Sequence, residues 1–146
     1  MLINVFLIVV LAVCVVTDLR KRKIYNKVIF PSLLVALSLN IASAGFSGLG
    51  DALLGFAAGL ALLLIPYILG GMGAGDVKLL GLIGALKGSG FVLETFIYTA
   101  VIGAMLAIIV IIMRGGFKKS LGVGMPYGVA IAGGAVLALL MDVELL

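Results

Sequence analysis

Two aspartates, Asp18 and Asp76, are the residues of this sequence best placed to do chemistry. Histidine is absent, and the one cysteine, Cys14, lies inside an apolar run. Neither a nucleophile–base pair nor a Cys/His metal cluster can be built from that inventory, so no metal and no cofactor is expected. Cys14 reads as a small residue packing a helix. Two carboxylates brought close cannot both ionise comfortably, so one pKa rises and a proton is shared. The ionised partner can then draw a proton from water while the protonated one polarises a scissile carbonyl or protonates the leaving amine. That is the chemistry of an aspartic peptidase.

Each aspartate also has an ordinary structural reading. Asp76 directly precedes an apolar helix and could cap it by accepting backbone N–H bonds. Asp18 could pair with Arg20, Arg22 or Lys23 at headgroup level. The glycines Gly70, Gly71, Gly73 and Gly75 around Asp76 exceed what a cap requires. They permit close approach of the backbone to an extended peptide, and irregular backbone at membrane depth is tolerated where it lines a cavity. The plainer account of the same stretch is a flexible interhelical turn.

The elements that must position these groups are helices in a membrane. The hydrophobic fraction is 64% and the charged fraction 11%, where typical globular chains are about 25% charged. So apolar a chain would expose large greasy patches in water. Breakers divide it into six spans: Leu2–Thr17, Val28–Ala44, Ala52–Leu69, Val77–Leu86, Phe91–Met113 and Pro126–Met141. Gly45, Gly48 and Gly50 mark the turn between the second and third, and the glycine-rich loop opens the fourth. The expectation is an all-α integral membrane protein of about six transmembrane helices forming one polytopic domain over residues 1–146. The first apolar stretch is a retained span, because its positive charges follow it rather than precede it.

Alternating these spans places Arg20, Lys21, Arg22, Lys23, Lys27, Lys78, Arg114, Lys118 and Lys119 on one side. The other side holds Lys87 together with Asp51, Glu94, Asp142 and Glu144. The positive-inside rule makes the basic side cytoplasmic, with both termini outside. Asp18 and Asp76 are the acids that break this trend. The net charge of +4 is thus a topology signal, and no nucleic-acid face is expected.

At these residues the sequence resembles the prepilin peptidase (type IV leader peptidase) family of GxGD intramembrane aspartyl proteases. Gly73-Ala74-Gly75-Asp76 is similar to the GxGD motif, continued by Val77-Lys78-Leu79-Leu80 and by Gly84, Ala85 and Gly88. Asp18 followed by Arg20, Lys23, Ile24 and Asn26 resembles the family's first motif, with Tyr25 where that motif has proline. Pro126-Tyr127-Gly128, then Ala130 and Ile131, resembles its third. The resemblance implies a multi-pass protease of the cytoplasmic membrane with Asp18 and Asp76 as its catalytic pair, facing the cytoplasm. Its implied partner is a pilin-like precursor (type IV or Flp pilin, or archaeal preflagellin) whose basic leader precedes an apolar helix. The chain lacks the extra cytoplasmic region and cysteine cluster of the longer bacterial enzymes, so N-methylation is not expected.

Other residues carry smaller expectations. Gly73, Ala74 and Gly75 would shape the loop that presents Asp76. Lys78 could favour an ionised aspartate or simply snorkel. Asn26 could bond the loop backbone or the peptide, or close an Asx turn. Pro126 fits ordinary helix initiation, and Tyr127 fits an interfacial anchor as well as a substrate contact. Arg20 to Lys23 would fix topology and meet anionic lipids. The competing function is a small ion-coupled transporter or channel subunit using the same carboxylates. No repeat relates the two halves, and the acids lie near one face rather than the midplane. A presenilin-like protease shares GxGD but uses Tyr-Asp where this chain has Thr17-Asp18. Oligomeric state has no signal in the sequence.

Overall fold

A computed structural model describes residues 1–116 and 125–144, without the side chains of Val143 and Glu144. Lys118 and Lys119 lie outside the described residues. The described residues form five helices: α1 (Leu2–Lys21), α2 (Asn26–Ile68), α3 (Ala74–Lys87), α4 (Ser89–Met113) and α5 (Tyr127–Glu144). Three of them, α1, α2 and α4, are long and apolar enough to cross a membrane, at 20, 43 and 25 residues.

The 43 residues of α2 would make a rod of about 65 Å, twice the hydrocarbon thickness. It is not a rod. Gly45 has φ 63° and ψ −142°, outside the helical region. Beyond it, a side chain on Gly48 would strike the carbonyl oxygen of Asn40, an atom that a straight helix would place about 12 Å away along its axis. The chain therefore reverses at Gly45 into two arms, residues 26–44 and 46–68. The first arm runs alongside α3 in the same direction, with Asn26 bonded to Lys78 and Asn40 Nδ2 donating to Ala85 O at 3.0 Å. The second runs against it, Gly59 lying on Leu80 and Gly81, and Gly55 on Gly84. The turn expected at Gly45, Gly48 and Gly50 contracts to one residue, because only Gly45 leaves helical geometry.

Among the described residues the chain thus makes six passes between two ends of a bundle. One end carries Asp18, the 22–25 connection, the start of α3 and the start of α5. The other carries the start of α1, Gly45, Gly88 and Asp142. The middle pass, α3, is the core. Its residues from Leu79 to Leu86 are all buried, as a helix apolar on every side must be. At about 21 Å it is shorter than the hydrocarbon layer, and three helices among the described residues are long and apolar enough to cross it. Leu7, Leu11 and Cys14 of α1 and Ile131, Ala135 and Ala138 of α5 complete the same core. Lys87, the exception to the one-sided charge pattern, is neutralised where it stands by an ion pair to Asp142 at 2.9 Å.

Candidate active site

Asp18 sits in the last turn of α1. That helix ends because Arg22 turns into the left-handed region (φ 52°) and its N–H closes back on Asp18 O at 2.8 Å. The connection then runs through Lys23 and Ile24 to Tyr25, whose extended backbone starts α2. Asp76 sits in the first turn of α3. Gly73, not Asp76, occupies the cap position, and Gly73 N donates to Asp76 Oδ2 at 3.2 Å. The capping expected of Asp76 is therefore present, but from a position three residues inside the helix, as in one half of a capping box. The loop is shorter than the run of glycines implied, because Ala74 and Gly75 are already helical.

These two ends enclose a cavity of about 330 Å³ lined by Asp18, Arg22 to Asn26 and Gly73 to Asp76. Gly75 makes this closure possible: a Cβ there would stand 2.9 Å from Ile24 Cβ, so the bare backbone of α3 packs directly on the 22–25 connection. Both aspartates are buried, Asp18 at 6% and Asp76 at 9% exposure. Burial pushes the Asp76 carboxyl up to about 6, against the pull of the Gly73 N–H and with a further push from the charge of Asp18. A carboxyl so placed can hold a proton near neutrality and still give it up.

Asp18 closes no ion pair within 4.0 Å among the described residues, although the charge of Arg22 acts on it from the 22–25 connection. It lies instead against α5. A Cβ on Gly128 would come within 2.7 Å of Asp18 Oδ2, and the backbone N–H groups of Gly128 and Val129 bear on the same carboxylate. Even so, Oδ2 is buried and completes no hydrogen bond of ordinary geometry.

The remaining candidates divide. Asn26 lines the cavity, but its side chain accepts from Lys78 Nζ at 3.0 Å rather than closing an Asx turn. Lys78 meets no aspartate; it holds Asn26 and lies 5.5 Å from the Phe30 ring centroid. Pro126 accepts from Val129 N at 3.1 Å, an ordinary helix start. Pro126 and Tyr127 do not line the cavity. Sequence reasoning passed over Arg22, Ile24 and Tyr25 as cavity walls. The signals for them were the change from an apolar run to a polar connection and the place of Ile24 and Tyr25 in the motif that follows Asp18.

The model of the Type IV leader peptidase family matches residues 5–108, a stretch containing both aspartates. A Prepilin leader peptidase/N-methyltransferase of Bacillus subtilis (strain 168) is 31% identical over 140 residues, 93% of this chain and 54% of that protein. The chain thus spans about half the length of the curated relative it matches. No solved structure matches it.

Proposed function

The chain belongs to the type IV leader peptidase family, and from that premise we propose that it is a membrane aspartic endopeptidase with Asp18 and Asp76 as its catalytic pair. The observation that carries this reading is the convergence of two buried carboxylates, from the end of α1 and the start of α3, on one cavity. One aspartate accepts a proton from water, and the water oxygen bonds to the scissile carbonyl carbon. The other gives its proton to the carbonyl oxygen, forming a gem-diol. As the diol collapses, the amine nitrogen takes up the proton drawn from water, and one diol O–H returns the second proton to the aspartate that gave it. The C–N bond breaks and the pair ends in its starting state.

The substrate class is a pilin-like precursor with a basic leader ahead of an apolar helix. The printed name of the curated relative supports this, as does a cavity at the end of the bundle rather than at its middle. The methyltransferase half of that name is not carried over, because the chemistry assigned to the aspartate pair is hydrolytic. The site faces the cytoplasm: exposed Arg20, Lys21, Arg22, Lys23 and Lys27 surround the same end, as the positive-inside rule requires. Residues 1–146 act as one unit, with α3 enclosed by passes that meet lipid.

The test is co-expression of a pilin-like precursor with the wild-type chain, Asp18→Asn or Asp76→Asn, scored by precursor size with membrane levels checked. Wild type should cleave, and both variants should accumulate in membranes without cleaving. Processing at near wild-type rate by either variant would remove that aspartate from the mechanism. A transporter would lose flux rather than cleavage.

A further inference from the structure

The last turn of a helix is a poor place for a carboxylate, because the free carbonyls there present the negative end of the helix dipole. Asp18 is in that position on α1. Its near charges are Arg22 and Lys23 from the connection and Asp76 from α3, with the Cys14 thiol one turn back on α1. From the remaining side comes the start of α5, the opposite, anion-binding end of a helix; Val129 N–H there already bonds Pro126 O, so the nearest donor facing the carboxylate is the N–H of Gly128. It reaches Asp18 only because residue 128 has no side chain. A Cβ there would lie 2.7 Å from Oδ2 and 3.0 Å from Cγ. Asp18 Oδ2 is a buried acceptor with no partner of ordinary geometry, and it is aimed at that terminus. We propose that Gly128 is a positioning residue: by admitting the N-terminus of α5 against Asp18, it supplies the donors that stabilise this aspartate as the carboxylate of the catalytic pair. This rests on the peptidase reading and adds α5 as a third component of the centre.

A Gly128→Ala side chain would push the amides away from the carboxylate without touching Asp76. Moving these amides off the carboxylate, taken at up to the strength of one charge-assisted hydrogen bond, corresponds to at most about one to two pH units. The acid limb of the pH–rate profile should therefore move up by that amount. Cleavage at low pH should fall about tenfold or more, the loss should shrink as pH rises, and KM should change little. Gly133→Ala on the same helix, whose Cβ would meet only the flexible end of Ile102, should keep the wild-type profile. An unshifted limb in Gly128→Ala, or a loss equal at every pH, would overturn the proposal and leave Gly128 as a packing residue.

If Gly128→Ala does not accumulate, the contact is read in the unaltered chain by following the 15N-glycine amide signals with pH. The Gly128 signal should titrate in the wild type and cease to do so in Asp18→Asn. A pH-independent Gly128 signal overturns the proposal. This titration needs no substrate, so its failure is distinguishable from a failure to find peptidase activity.

Discussion

Replacing Gly75 by alanine tests how the cavity is closed. The added Cβ would stand 2.9 Å from Ile24 Cβ, 3.2 Å from Ile24 O and 3.5 Å from Ile24 Cα. None of these atoms is the free end of a side chain, so relief requires the 22–25 backbone to retreat from α3. Restoring ordinary contact distances calls for a shift of about 0.5–1 Å. Overpacking of this kind costs about 1–3 kcal/mol, partly offset by the roughly 0.5–1 kcal/mol that alanine gains over glycine within a helix. The net expectation is destabilisation of about 0–2.5 kcal/mol by difference. The effect on cleavage should be larger, because a misplacement of about 1 Å at a reacting centre costs on the order of 10²-fold. Gly103→Ala is the comparator: it lies within α4 with nothing within 4 Å of its added Cβ, so it should gain about 0.5–1 kcal/mol and cleave normally. The assay is single-turnover cleavage of a precursor in detergent, paired with unfolding of the same samples. If Gly75→Ala proves as stable and as active as Gly103→Ala, the packing of α3 on the 22–25 connection is not what shapes the site.

Two further predictions concern buried groups. The Asp76 carboxyl, raised by burial to about 6, needs its proton for the donor role, so cleavage should decline as pH rises through about 6. Its ionised form is disfavoured in the fold, so stability should also fall between the unfolded value near 4 and 6, and level off above. Removing the like charge with Asp18→Asn should lower the pH at which Asp76 titrates, read by infrared spectroscopy of labelled aspartate. Cys14 is fully buried, so a maleimide should label the folded protein negligibly and react stoichiometrically after unfolding. Rapid labelling in the folded state would contradict the packing of α1 on α3.

Much of the site was legible in the sequence because its chemistry is scarce. With no histidine and one apolar-run cysteine, Asp18 and Asp76 stood out as acids on a basic side, and the structure brings both to one cavity. The position of Gly128 against Asp18 was not legible, since nothing in Pro126-Tyr127-Gly128 says which face of α5 meets α1. The partner of Lys78 was missed for a related reason. Contacts between distant segments depend on helix rotation, which composition does not encode. The boundaries erred where glycine was read as a breaker by count. Gly48, Gly50 and Gly75 are all helical, because neighbouring backbones need the space that a side chain would occupy, or because nothing nearby disfavours the helix. Of the glycines expected at the turn in α2, Gly45 alone uses the conformational freedom that makes glycine a turn residue, as Gly70 and Gly88 do at other bends.

The enclosure of α3 bears on which membranes the protein can work in. Outer helices answer a thicker or thinner bilayer by tilting, and such motion would detune a site built on lipid-facing segments. The helix carrying Asp76 instead meets its own chain on every side, and backbone lies directly against backbone at Gly55 and Gly59. Changes in bilayer thickness are thus absorbed by the sheath before they reach Asp76, whereas Asp18 stands on the outer helix α1 and moves with it, so the lipid around the protein acts on the pair through α1.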